Sequence, residues 1–118
     1  MNNDSIEGGG IYNNESNSEI YDSAFTSNQA SNGGAIYNDK LSAPNITKNT
    51  FTTNKSTGTG DISGGGAIYN YQSNLEIKNC IFQGNDAVAS GGGIYNYGNS
   101  TLIDTCSFLN KNKAENGG

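Results

Sequence analysis

One short unit, Gly-Gly followed by Ile-Tyr-Asn, occurs four times in this chain. A chain that repeats itself at such short intervals folds as a stack of similar units rather than around one central core. The copies are Gly9-Gly10-Ile11-Tyr12-Asn13, Gly33-Gly34-Ala35-Ile36-Tyr37-Asn38, Gly65-Gly66-Ala67-Ile68-Tyr69-Asn70 and Gly92-Gly93-Ile94-Tyr95-Asn96. Their isoleucines stand 25, 32 and 26 residues apart. A second element keeps phase with the first: Phe25, Phe51, Phe82 and Phe108, each preceded five residues earlier by Ile20, Ile46, Ile77 and Ile103. Asn28, Asn54 and Asn85 follow the first three phenylalanines by three residues, and Lys111 takes that place in the fourth.

Each apolar piece is too short for a helix, and Gly beside β-branched Ile favours brief extended segments. One unit has too few apolar side chains for a core, but identical positions stacked in register form continuous dry columns. About 26 residues per repeat therefore predicts one coil of a parallel β-helix with two or three short strands. The expected fold is all-β: a right-handed solenoid of about four coils, a single domain over 1–118, with coils about 4.8 Å apart. The expected columns are Ile11, Ile36, Ile68 and Ile94, and Phe25, Phe51, Phe82 and Phe108, pointing inward. Asn13, Asn38, Asn70 and Asn96 form one candidate amide ladder, and Asn28, Asn54 and Asn85 a second, because a side-chain amide both donates and accepts. Asn also tolerates the left-handed backbone of sharp corners. Phe51 and Ile68 are 17 residues apart, against 11 and 12 in the flanking copies, so 55–63 reads as a loop extruded from one corner.

Composition narrows the chemistry. Leu, Ile, Val and Phe make up 20 of 118 residues, a disorder-like fraction, yet only 14% of residues are charged and the net charge is −5. There is no His, no Arg and no Trp. Without His, Ser-His-Asp and Cys-His catalysis and His-based metal sites are excluded. Six lysines and a pI near 4.3 argue against nucleic acid as a partner. The N-terminus has no basic and apolar signal-peptide regions, and no apolar run approaches the ~18 residues of a membrane span.

The Gly-Gly-Ala-Ile and Phe-x-x-Asn pair resembles the repeat of polymorphic outer-membrane proteins and adhesin-like surface proteins, from about Gly8 to Gly118. Those families are similar to the pectin-lyase-like right-handed β-helices. The resemblance implies a cell-surface or extracellular parent protein, of which this chain is a fragment, with adhesion as its role. It brings no cofactor. Pectate-lyase-like relatives use Arg or Lys bases and calcium-binding Asp clusters, and this chain has no Arg and no Asp cluster.

Several features are candidates for binding. Tyr12, Tyr37, Tyr69 and Tyr95 follow inward isoleucines and should point outward, with Tyr71 and Tyr97 two positions on. Such a face could stack on sugar rings or anchor a protein; equally, in-register aromatics stabilise neighbouring strands. Glu19 and Glu76 share a column two coils apart with Asn45 between them, a spacing compatible with paired carboxylates. Asp22 with Lys48, and Lys78 with Asp104, read as cross-coil charge pairs. Gly58-Thr59-Gly60-Asp61-Ile62 partly echoes calcium-binding nonapeptides but occurs once. Cys80 and Cys106 share one phase and read as free core thiols. Sequons begin at Asn3, Asn14, Asn45, Asn54 and Asn99.

The expected function is a non-enzymatic adhesin-like or spacer module that meets glycan or a host or neighbour-cell protein through a repetitive face. A fragment of a carbohydrate-active β-helix is the alternative, and an intracellular scaffold follows if Met1 is the true start. The motif Glu115-Asn116-Gly117-Gly118 matches Ser31-Asn32-Gly33-Gly34, so a further coil is expected beyond it and the isolated chain should associate end to end.

Overall fold

The computed structural model describes residues 4–98 and 100–117. The first coil carries strands Asp4–Glu7 (β1), Ile11–Asn13 (β2), Glu19–Tyr21 (β3) and Ala24–Thr26 (β4). The second carries Gln29–Asn32 (β5), Ile36–Asn38 (β6), Asn45–Thr47 (β7) and Thr50–Thr52 (β8). The third carries Lys55–Ser56 (β9), Ile68–Tyr71 (β10), Leu75–Lys78 (β11) and Ile81–Gln83 (β12). The fourth carries Asp86–Ala87 (β13), Ile94–Tyr97 (β14), Thr101–Asp104 (β15) and Ser107–Leu109 (β16). All pairings are parallel, and equivalent strands stack into four sheets: β1-β5-β9-β13, β2-β6-β10-β14, β3-β7-β11-β15 and β4-β8-β12-β16. The molecule is a parallel β-helix of about four coils.

The register is the one the repeat implies. Ile11, Ile36, Ile68 and Ile94 pair in one file, Ile20, Ile46, Ile77 and Ile103 in another, and the four phenylalanines in a third. The phenylalanine rings stack at 5.0, 4.8 and 4.8 Å along the axis. Ile36, Ile46, Phe51, Ile68, Ile77 and Phe82 are wholly buried. Truncating such a side chain to Ala costs about 2–5 kcal/mol.

Each coil has four strands, where two or three were expected. The additional sheet, β1-β5-β9-β13, turns small side chains inward (Ala30, Ser56 and Ala87, all buried), so it leaves no hydrophobic signature. Lys55 and Ser56 belong to it, and the irregular segment is accordingly 57–63 rather than 55–63.

The glycine pair has two separate causes. Gly33 has φ +64°, and a Cβ there would stand 2.2 Å from the carbonyl oxygen of Ile36, so the first glycine makes the corner. The second, Gly34, has an ordinary φ, but its Cβ would stand 2.1 Å from the carbonyl oxygen of Gly66 on the next coil. Only a bare backbone stacks that closely.

The other corners also turn on one left-handed residue, as at Asp22, Lys48, Asn79 and Thr105, or at Ser27, Thr53 and Gly84. The ladder asparagines do not supply these conformations, contrary to the expectation that they form the corners. They sit beside the corners and satisfy them. Asn28 donates its N–H and Nδ2 to Asn54 Oδ1, both at 3.0 Å. Asn54 does the same to Asn85 at 2.9 and 3.0 Å. Asn85 repeats the pattern on Asn112 Oδ1 at 3.0 and 2.9 Å, so the ladder does not stop at Lys111. The fourth coil holds one extra residue there, which a second left-handed position absorbs: Asn110 and Lys111 have φ +46° and +57°.

The other ladder is interrupted. Asn13 Nδ2 donates to Asn38 Oδ1 at 2.8 Å and Asn70 Nδ2 to Asn96 Oδ1 at 2.6 Å. Between them, Asn38 Nδ2 and Asn70 Oδ1 are buried without partners. Asn70 Nδ2 also donates to the Ser73 carbonyl oxygen, at 2.7 Å. The break falls at the step spanned by the longest repeat.

Candidate functional site

The tyrosine file forms as the alternation requires, but it is not an open strip. Rings of Tyr12, Tyr37, Tyr69 and Tyr95 stack successively at 5.3, 4.9 and 5.2 Å, and Tyr71 stacks on Tyr97 at 5.4 Å. Tyr12 and Tyr97 are 43% and 38% exposed, whereas Tyr37 and Tyr69 are 8% and 2%. Neighbouring rings cover the faces of the inner members, and the 57–63 segment folds across Tyr69 instead of standing away from its corner. The Tyr69 hydroxyl donates to the Ile62 carbonyl oxygen at 2.6 Å. Burial pushes the phenol of Tyr69 up to about 12, and burial likewise raises that of Tyr37. Tyr12 is also pushed up to about 12, first because it donates to Asp39 Oδ2 at 2.6 Å and then by its partial burial. The repetitive face thus offers its two ends, Tyr12 and the Tyr71–Tyr97 pair, rather than a continuous platform.

The segment covering Tyr69 closes on itself. Ser63 donates its N–H to the Gly60 carbonyl oxygen at 3.0 Å, and Gly60 donates its own N–H to Ser63 Oγ at 3.2 Å. Among the described residues no three Cys, Asp or Glu side chains converge in a way that could hold a metal ion, Asp61 included.

The face of the third sheet carries most of the remaining chemistry. Glu19, Asn45 and Glu76 are register partners, as are Tyr21, Thr47, Lys78 and Asp104. Lys78 pairs with Glu76, two residues away on the same face of its own strand, at 2.6 Å rather than with its register partner Asp104. That bond raises the pKa of Lys78 and occupies one member of the Glu19/Glu76 couple. Asp22 and Lys48 form no ion pair. With Glu19, Tyr21, Asn45 and Thr47 they line an open depression of about 270 Å³. Sequence reasoning noted Glu19, Asn45, Asp22 and Lys48 separately and passed over Tyr21, which belongs to no repeated column.

Both cysteines are free. Cys80 is buried, its Sγ accepts the Asn49 N–H at 3.4 Å, and burial raises its pKa. Cys106 is only partly buried, because no further coil covers it in the described chain. Of the sequons, Asn14 and Asn45 are exposed, Asn54 is wholly buried in its ladder and closed to modification in the fold, and Asn3 and Asn99 lie outside the described residues.

Comparison with known proteins returns one family. The model of the Chlamydia polymorphic membrane protein repeat matches residues 22–39 and 79–97. No curated protein and no solved structure matches the chain. Each matched stretch begins just before a phenylalanine, runs through its ladder asparagine and glycine corner, and ends at or just after Ile-Tyr-Asn, so it covers the consecutive elements that build the stack. Residues 22–39 and 79–97 of this β-helix are therefore similar to the Chlamydia polymorphic membrane protein repeat.

Proposed function

We propose that this chain is a non-enzymatic β-helix module of a surface-exposed protein, serving in adhesion by contacting glycan or a protein on a host or neighbouring cell. The observation that carries this reading is the polymorphic membrane protein repeat at residues 22–39 and 79–97, from a surface-associated, adhesin-like family. The distribution of side chains supports it. The isoleucine and phenylalanine files of the inner coils and most ladder amides go to the interior, while the outer faces of the coils carry tyrosines, scattered aliphatic side chains, hydroxyls and charges, the composition of a contact surface. The carbohydrate-active alternative is weakened because Glu76 is held by Lys78 at 2.6 Å and stands two coils from Glu19.

Labelled chain incubated with epithelial cells, and separately with acidic and neutral polysaccharides in calcium buffer, tests the proposal. Saturable binding without release of reducing ends or unsaturated products supports it. Turnover of any polysaccharide overturns it.

A further inference from the structure

We infer that the depression between β3 and β7 is a subsite for one neutral hexose or N-acetylhexosamine ring, with Tyr21 as its platform. This rests on the adhesive reading above and gives it a location away from the repeated tyrosine file.

Tyr21 is the exception among the aromatic residues. Every other tyrosine, and every phenylalanine, stacks on a ring of a neighbouring coil or strand position, whereas Tyr21 has Thr47 as its register partner and no ring against it. It is 63% exposed, the most exposed aromatic side chain described. A ring left uncovered on an otherwise polar sheet offers the flat apolar surface that the C–H face of a pyranose covers.

The polar groups around it keep donors and acceptors free for a ligand. Thr47 Oγ1 donates to Asn45 Oδ1 at 3.1 Å, which holds the amide and leaves Asn45 Nδ2 to donate outward. Among the described residues the side chains of Glu19, Asp22 and Lys48 find no hydrogen-bond or ion-pair partner, although all three line the same depression. One coil further on, the equivalent columns hold Glu76 and Lys78, which neutralise each other. The first two coils therefore present two carboxylates that accept from hydroxyls, and an amide and an ammonium that donate to hydroxyl or acetamido oxygens.

Size and charge select the ligand. The depression, about 270 Å³, lies just below the ~300–1,000 Å³ of drug-sized sites, which suits a single sugar ring. Two carboxylates against one ammonium, on a chain of net charge −5, repel uronates and sialic acids. A neutral sugar meets no such penalty.

Saturation-transfer NMR with the full chain provides the test. The probes are oligosaccharides ending in glucose, galactose, mannose or N-acetylglucosamine, and an oligogalacturonate as the acidic comparator. At least one neutral probe should take up saturation and the oligogalacturonate none. Tyr21→Ala should weaken that binding by about tenfold or more, Tyr21→Phe should retain it, and Val88→Ala, at an exposed side chain outside the depression, should leave it unchanged, each variant keeping its β-type circular dichroism. Neutral binding that survives Tyr21→Ala but is lost in Tyr97→Ala overturns this site and leaves adhesion standing. Preference for oligogalacturonate overturns the ligand class. Cell binding that is abolished by protease treatment of the cells and untouched by periodate overturns the sugar and retains adhesion, whereas absence of binding to cells and to all probes removes both readings.

Discussion

The hydroxyl of Tyr69 donates to the backbone carbonyl of Ile62 at 2.6 Å, tying the longest irregular segment of the chain to the centre of its tyrosine file. Tyr69 sits on β10 between the rings of Tyr37 and Tyr95, so its backbone is fixed by the stack and its hydroxyl can act as an anchor. Tyr69→Phe removes the anchor and keeps the ring. It should cost about 1 kcal/mol and raise protease cleavage within 57–63. Tyr69→Ser also removes the ring stack and opens a cavity, and should cost about 3 kcal/mol or more. Equal melting temperatures for the two variants would show that the ring contributes nothing beyond its hydroxyl.

Asn54, like Asn85 on the next coil, uses its amide in full. Its Oδ1 accepts two bonds from Asn28, and its Nδ2 donates to the Phe25 carbonyl oxygen at 2.9 Å and to Asn85 Oδ1 at 3.0 Å. Asn54→Ala leaves the Asn28 N–H and the Asn28 amide unpaired in a dry interior and takes one bond from the Phe25 carbonyl, which stays in the β4–β8 ladder. At about 1–3 kcal/mol for each orphaned group, the loss should reach roughly 3 kcal/mol or more. Asn45→Ala, on the exposed face, should change stability by no more than about 0.5 kcal/mol. Urea denaturation of both variants measures the difference, and comparable midpoints would mean that the ladder is incidental to stability.

The two apolar files and one amide ladder were legible in the sequence because each repeats a side chain at a fixed phase, and stacking in register converts phase directly into contact. What the sequence concealed had no such phase. The fourth sheet is built on Ala30, Ser56 and Ala87, residues whose value is their smallness. Asn112 joins its ladder one position late, which only the paired left-handed conformations of Asn110 and Lys111 explain. The outward direction of Tyr69 was readable from alternation, but its burial was not, because the covering segment occurs once. Tyr21 escaped for the same reason: it matches nothing above or below it, and that isolation leaves its ring open.

The tyrosine file also sets a response to alkali. Tyr12 and Tyr69 are both pushed up to about 12 in the fold, and Tyr37 is raised as well, whereas tyrosine in an unfolded chain ionises near pH ~10. Below pH ~10 both states hold the phenolic proton and these groups leave stability unchanged. Between about 10 and 12 the unfolded chain releases protons that the fold retains, so stability falls as pH rises through that window. Near-ultraviolet phenolate absorbance followed with circular dichroism should show a late group of tyrosines ionising together with loss of the β signal. Complete ionisation near pH ~10 with the β signal intact would contradict the burial of Tyr37 and Tyr69.

The two ends of the β-helix differ in a way that bears on self-association. At the C-terminal end Ile103 and Phe108 are 44% and 49% exposed and, with Ile94, Lys111 and Asn112, line a groove of about 410 Å³. At the N-terminal end their column partners Ile20 and Phe25 are 7% and 6% exposed. In-register head-to-tail stacking meets a second obstacle. Asp4–Glu7 is the outer strand on β5, while Lys113 and Asn116 bridge to Asp86 and Ser90 beyond β13. Both ends of that sheet are already extended by one level, so two copies stacked head to tail would place two segments at the same height. Contact between two C-terminal faces avoids the conflict and buries Ile94, Ile103 and Phe108 of each copy in a closed two-fold interface. The expected outcome in analytical ultracentrifugation is therefore a concentration-dependent dimer that grows no further, instead of an open end-to-end series. Phe108→Asp should return it to monomer at concentrations where the wild-type chain is dimeric, with little loss of fold because Phe108 is half exposed already. Oligomers that lengthen continuously with concentration would show that one of the extended segments lifts away and that stacking runs head to tail after all.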